Sequence, residues 1–322
     1  MKILVTGGAG FIGSNVVDGY IEAGHQVVVM DNLYTGKWEN LNPNARFYLM
    51  DVRSPEVAKL FERERFDVVN HHAAQISVPA SVEDPLFDAE VNILGLLNIL
   101  EASRKTGVSK VIFISSGGAI YGEAEEYPTT ERSPALPLSP YAVAKAVSEQ
   151  YLAFYRHQHG LRYTVLRYAN VYGPRQVPHG EAGVVAIFMD RLLAGKRCVI
   201  NHFPDEPRGM ARDYCYVGDV VRANLAALDR GDGEAFNIGT GVATRTRELF
   251  DLVYRTVAGE VEIDPALAEP GSAPARAGDL SRSCLSVSKA RELLGVESKT
   301  ALEEGLAQTL RWRLSRASGA GC

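Results

Sequence analysis

Lys2-Ile-Leu-Val-Thr-Gly-Gly-Ala-Gly-Phe-Ile-Gly13 is the stretch that decides the fold. Ile3–Val5 reads as a β-strand that turns at once through three spaced glycines, Gly7, Gly10 and Gly13, into a helix. Glycines let the backbone come close to a phosphate. A helix N-terminus adds unpaired N–H groups and a partial positive charge, so strand, glycine turn and helix together fit a dinucleotide pyrophosphate better than an ordinary βα turn. The next strand, Val27-Val-Val-Met30, ends in Asp31. A carboxylate there accepts hydrogen bonds from the adenosine ribose and repels a 2′-phosphate, so the expected cofactor is NAD rather than NADP.

The same rhythm continues outward. Phe47–Met50, Asp67–Asn70, Val111–Ile114 and Tyr163–Leu166 read as strands with helical periodicity between them. Such βαβ alternation implies the α/β class, a doubly wound parallel sheet with ligands at the carboxyl ends of its strands. After Gly173-Pro174 the pattern changes: a loop-rich stretch to Gly183, a helix near Val184–Ala194, and an irregular segment, 201–211. Ala235-Phe-Asn-Ile-Gly239 then looks like a strand rejoining the main sheet, and 266–278 is rich in Pro, Gly and Ala. The expected division is a dinucleotide-binding part at 1–173, with 215–245 returning to it, and a smaller interleaved C-terminal substrate lobe at 174–214 and 246–322. Residues 317–322 are expected to fray.

Composition narrows the partners. The 322 residues are 46% hydrophobic, enough for a sizeable core, and 34 basic side chains nearly balance 39 acidic ones for a net charge of −5. With no run of Lys or Arg, no nucleic-acid partner is expected. Cys198, Cys215, Cys284 and Cys322 are scattered and read as reduced thiols. The chain opens on a strand, without a signal-peptide pattern, and no apolar run reaches bilayer length, so a cytoplasmic home and no membrane partner are expected. His71 and His72 close a strand, and His157, His159, His179 and His202 form no ligand cluster; no metal is expected.

Two further features carry chemistry. Tyr141-Ala-Val-Ala-Lys145 places a phenol and an ammonium on one helical face, at a helix start signalled by Ser139-Pro140. Ionising a free tyrosine near neutral pH takes about 4 kcal/mol, which Lys145 and a nicotinamide cation are expected to supply. The strand Val111–Ile114 runs into Ser115-Ser116-Gly117-Gly118, which brings hydroxyls to the sheet edge where the cofactor should lie. Alone, each has a plain reading, as a solvated helix face and as a turn. Beside the glycine loop, the functional reading is preferred.

Together these motifs resemble the extended short-chain dehydrogenase/reductase superfamily, which is Rossmann-like, and within it the bacterial UDP-glucose 4-epimerases. His71-His-Ala-Ala-Gln75, Asn92, Leu166–Arg175, Arg212-Asp-Tyr214 and Phe236–Gly239 are similar to that group's signature segments. The resemblance implies that Gly7, Gly10, Phe11, Ile12, Gly13, Asp31, Asn32, Asp51, Val52, Ala73, Ala74, Asn92, Ser115, Tyr141 and Lys145 bind NAD. It implies that Ser116, Tyr141, Asn170, Val184, Val185, Arg212, Arg276 and Asp279 bind the UDP-sugar. For Arg212 an ion pair with Asp213 or another carboxylate is the structural alternative. The strand carries two hydroxyls, not three, so either Ser115 or Ser116 can be the catalytic one; Ser116 is chosen beside Tyr141 and Lys145.

The implied reaction is oxidation at C4 of a UDP-hexose to a 4-keto sugar, rotation of the sugar, and reduction on the opposite face. Dehydratases need a carboxylate or amide beside the catalytic hydroxyl, and here Gly117, Gly118 and Ala119 stand there. Small Ser283, where some relatives carry a bulky Tyr, suits N-acetylated hexoses as well as glucose and galactose. An NAD-dependent nucleotide-sugar reductase, or an epimerase of another UDP-sugar such as UDP-glucuronate, is the alternative, and a non-catalytic NADH sensor is disfavoured because Tyr141 and Lys145 are both present. A homodimer is expected through the helices near Pro85–Ser103 and Tyr141–His157, which carry Val91, Leu94, Leu97, Val143, Val147, Tyr151 and Phe154.

Overall fold

Ile3 and Val5 pack into one hydrophobic cluster and Leu4 into another, because successive side chains of a strand point to opposite faces. That double burial repeats across a seven-stranded sheet. The computed structural model describes residues 1–178, 183–276 and 279–319; His179, Gly278, Cys322 and part of the 174–183 loop lie outside the described residues.

The sheet is built from β1 (Lys2–Thr6), β2 (Gln26–Asp31), β3 (Arg46–Leu49), β4 (Val68–His71), β5 (Lys110–Ser116), β6 (Arg162–Tyr168) and, after an excursion, β10 (Glu234–Ile238). Its order is β10-β6-β5-β4-β1-β2-β3, with every pairing parallel. The expected strands are all present; β3 begins one residue earlier than its apolar run suggested. On one face lie α1 (Phe11–Glu22) and α8 (Val217–Asp229), on the other α2 (Val57–Glu64), α5 (Gly95–Thr106) and α6 (Pro140–His159). Between β4 and α5 run the short α3 (Val78–Glu83), α4 (Pro85–Ala89) and a π-turn at Glu90–Leu94. Ser139 caps α6 as its sequence signalled: its hydroxyl accepts the Ala142 N–H at 3.2 Å, with Pro140 in the first turn.

The strand after β6, β7 (Asn170–Tyr172), leaves the main sheet and pairs with β9 (Ala211–Tyr216), which also pairs with β11 (Ala243–Arg245) and β13 (Arg282–Ser283). Between them come α7 (Val184–Leu193), β8 (Val199–His202), α9 (Thr246–Ala258) and β12 (Gly271–Pro274), the last pairing with β8. Part of the irregular 201–211 segment is thus strand, and its turn is pinned by the ion pairs Glu206–Arg245 and Arg208–Glu248. A third apolar cluster joins α7, α9 and α10 (Leu302–Gly319). Of the tail expected to fray at 317–322, residues 317–319 continue α10 and 320–322 lie outside the described residues. Cys198, Cys215 and Cys284 are buried free thiols. No helix among the described residues is long and apolar enough to cross a membrane.

Candidate active site

Residues at or just beyond the carboxyl ends of β1 to β6 line one cleft of about 720 Å³, closed on the far side by β7, β9 and the start of α7. At its floor, β1 turns into α1. Gly7 has φ +68°, and a Cβ on it would sit 2.7 Å from the Ala73 nitrogen; a Cβ on Gly13 would sit 2.3 Å from the Gly7 carbonyl oxygen. Only glycine fits either position. No side chain caps α1, whose N-cap is Gly10, so its first turn opens on the cleft as a cradle for an anion. This is the fit a pyrophosphate requires, and the residues here suit NAD.

Asp31 lines the cleft but is already engaged. Its carboxylate accepts the Ala9 N–H at 3.0 Å and the Leu33 N–H at 2.8 Å, and burial nevertheless holds its pKa above the usual carboxylate value. The residue therefore shapes the glycine turn as well as lining the cleft. Asp31→Ala would leave two backbone donors without their acceptor, so a loss of about 1–3 kcal/mol is expected, seen as a lower Tm even in cofactor-stripped protein. An unchanged Tm would assign the carboxylate to ligand alone. Next to it, Asn32 donates to Asp51 at 2.9 Å, and Arg53 holds the Asp51 carboxyl down at about 2.

At the centre, α6 meets the end of β5. Burial pushes the Tyr141 phenol up to about 12, and the Ser116 hydroxyl that bonds it pulls the other way. Ser115, the other candidate, turns aside and donates to Glu149 at 2.6 Å. Ser116 is thus the hydroxyl beside the phenol. Lys145 is 4% exposed; its ammonium donates to the Ile114 carbonyl at 2.9 Å and lies 5.9 Å from the centre of the Tyr141 ring. Burial lowers its pKa to about 8. In the protein alone, desolvation of the phenol outweighs the lowering expected of Lys145, whose ammonium bonds the Ile114 carbonyl and lies 4.9 Å from the centre of the Phe113 ring. His71 and His72, both held near 3 by burial and by Lys145, stay neutral.

On the substrate side, Asn170, Val184, Val185, Arg212, Arg276 and Asp279 all line the cleft. Among the described residues the Asn170 Nδ2 is buried without a partner, an amide donor facing a ligand-sized space. Arg212 is not paired with Asp213, whose carboxylate is taken by Thr240, Gly241 and Leu285. Its guanidinium instead rests on the Ala211 and Leu280 carbonyls and the Met210 sulfur, which leaves it a cation with no carboxylate within 4 Å among the described residues. Arg276 is paired with Asp279 at 3.3 Å. Ser283 is buried in β13, with its hydroxyl 4.0 Å from where a Cβ of Gly118 would lie.

Of the residues expected to bind, Asn92 alone stands off the cleft wall. It is buried in the π-turn, donating to the Gln75 carbonyl and Asp88 and accepting the Gln75 N–H, so it holds the loop after β4 from behind. Conversely, Arg53, Phe87, Gln176, Met210, Tyr214 and Thr246 line the cleft without having been singled out as ligands. Tyr214 alone carried a signal, as the end of Arg212-Asp-Tyr214; the rest come from loops and helix starts with no periodic pattern.

Comparison with known proteins agrees with this geometry. The model of the NAD dependent epimerase/dehydratase family matches residues 3–239. UDP-glucose 4-epimerase of Mycolicibacterium smegmatis is 46% identical over 318 residues, 97% of this chain and 98% of that protein. The crystal structure of UDP-glucose 4-epimerase from Thermotoga maritima with UDP-glucose is 51% identical, with a TM-score of 0.92 over 98% of this chain and all of that one (100%). A Thermus thermophilus UDP-glucose 4-epimerase complexed with NAD is 46% identical, with a TM-score of 0.88 over 97% of this chain and 99% of that one. The glycine cradle, the Ser116–Tyr141–Lys145 cluster and this full-length likeness agree: the chain belongs to the NAD dependent epimerase/dehydratase family.

Proposed function

We propose that this protein inverts the configuration at C4 of a UDP-hexose, interconverting UDP-glucose and UDP-galactose. The observation that carries the reading is the meeting of Tyr141, Ser116 and Lys145 at the midpoint of a cleft that has a phosphate cradle on one side and Arg212 with Asn170 on the other. NAD, when bound, supplies a two-electron acceptor that becomes the donor of the return step, together with a positive ring charge beside the phenol. Tyr141, in its phenolate form, takes the C4 hydroxyl proton, directly or through Ser116, and later returns it to the inverted alcohol. Lys145, fixed by the Ile114 carbonyl, holds the ribose and keeps a cation beneath the site. Arg212 grips the diphosphate, a planar guanidinium matched to phosphate oxygens. Gripping the nucleotide leaves the 4-keto sugar to turn between the two half-reactions.

Gly117 and Gly118 put no acid or amide beside Ser116, which supports simple oxidation and reduction over elimination of water. Acceptance of N-acetylated hexoses gains no support from Ser283, which is buried in β13 and, like Gly118, is not among the residues lining the cleft. The exposed Leu86 and Leu94 beside Val143 and Phe154 support pairing of two copies through α4, α5 and α6, and the reading places the enzyme in the cytoplasm, in galactose metabolism.

Purified protein given UDP-glucose without added NAD is expected to form the C4 epimer, followed by the sugar anomeric protons in NMR, with UDP-N-acetylglucosamine and UDP-glucuronate in parallel tubes. Epimer in any tube, with cofactor retained through purification, supports the reading and names the sugar. No epimer in any tube after NAD is added would overturn it and bring the reductase forward.

A further inference from the structure

Three consecutive rungs of α6 hold three consecutive residues at the end of β5. Tyr141 lies beside the Ser116 hydroxyl, which lowers its pKa, Lys145 bonds the Ile114 carbonyl, and Glu149 accepts the Ser115 hydroxyl. Residues four apart share a helix face, so the rungs line up along the strand end. Glu149 is in turn clamped by Arg167, which stands opposite Ser115 in the β5–β6 register: Nε meets Oε1 at 3.0 Å and an Nη meets Oε2 at 2.5 Å. The other Nη donates to the Tyr121 hydroxyl at 2.7 Å, and that hydroxyl donates to Asn237 on β10 at 2.8 Å.

Burying such an ion pair is costly, and an apolar pair of similar volume would pack as well, so packing alone does not account for it. The chemistry of the acceptor does. An ionised carboxylate only accepts, so Ser115 must point its single proton at Glu149. Thus engaged, Ser115 has no proton to offer the cleft it lines, and Ser116 is left as the one hydroxyl of the pair able to donate there.

We propose that Glu149, held by Arg167, is a positioning residue of the reaction: it ties the Ser115 hydroxyl away from the substrate and fixes the strand end so that Ser116 serves Tyr141. The inference rests on the reading of Ser116 and Tyr141 above. Lys145 is faced by Glu149 from its own helix, by Asp88 from α4, and by neutral His71 and His72 at the end of β4. Losing one of its two carboxylate neighbours should let Lys145 give up its proton at lower pH.

The test compares Glu149→Gln, Glu149→Asp and Ser116→Ala in the full-length holoenzyme. Glu149→Gln is expected to lower kcat about 10–100-fold with KM for UDP-glucose little changed, and to move the alkaline limb of the pH profile to lower pH. Glu149→Asp, which keeps the charge, should restore that limb. Should Glu149→Gln not fold, the double variant with Arg167→Met removes the pair as a unit and is expected to show the same loss. A merely structural role would lower Tm and leave kcat of the folded enzyme and its pH profile as in the wild type, which would overturn the proposal. Full kcat in Ser116→Ala would instead sink the underlying reading; loss of activity there with normal Glu149→Gln would sink the proposal alone.

Discussion

Tyr141→Phe is expected to lower kcat about 10²–10⁴-fold, the usual worth of a positioned acid or base, while Tm and the NAD retained through purification stay at wild-type values. The substitution removes one oxygen. The ring stays in its place on α6, and only the hydrogen bond with Ser116 disappears with that oxygen. The effect should be large because this phenol is hard to replace. With its pKa near 12 in the protein alone, bringing it to neutrality takes about 7 kcal/mol of charge stabilisation, against about 4 for a free tyrosine. Neither His71 nor His72 can stand in as base, since one is bonded to Thr6 at 2.9 Å and both are held near 3 by burial and Lys145. The measurement is a turnover assay on UDP-glucose, with a thermal melt and NAD extraction on the same sample. A variant keeping kcat within about threefold of wild type, far short of the range above, would move the proton transfer away from Tyr141.

Gly13→Ala should act earlier, on the cofactor. Its Cβ would stand 2.3 Å from the Gly7 carbonyl oxygen and 3.0 Å from the carbonyl carbon. Both are backbone atoms and cannot swing aside as a side-chain tip would. Gly7 is itself fixed, at φ +68° and against the Ala73 backbone. Forcing the turn open should cost about 1–3 kcal/mol, as overpacking does, and lower Tm by several degrees. More telling, the variant should purify without NAD, because the N–H groups of the first turn of α1 would no longer converge on a phosphate. Extraction and absorbance measure this directly. Full NAD content with an unchanged Tm would mean that the glycine turn is not the pyrophosphate cradle.

The sequence by itself determined what is local or periodic. Unbroken apolar runs such as Ile3–Val5 and Val27–Met30 required a strand buried on both faces, and the glycines at the passage from strand into helix allowed the backbone a close approach to a ligand. Ser139-Pro140 required a helix start, and spacing alone put Tyr141 and Lys145 on one face of that helix. Each follows from backbone geometry within a few residues. Tertiary structure alone decided the rest. Ser115 and Ser116 are chemically identical neighbours on opposite faces of a strand, so only the register of β5 against α6 sent one to Glu149 and the other to Tyr141. Asp31 acquired its Ala9 partner, and Asn92 its place behind the wall, from segments 22 and 17 residues away in the chain. The second sheet joins residues 170–172, 211–216, 243–245 and 282–283, pairings no period announces. The tyrosine pKa went the same way: spacing brought a lysine near it, but desolvation depends on everything packed around the ring, and that is fixed only when the whole chain has folded.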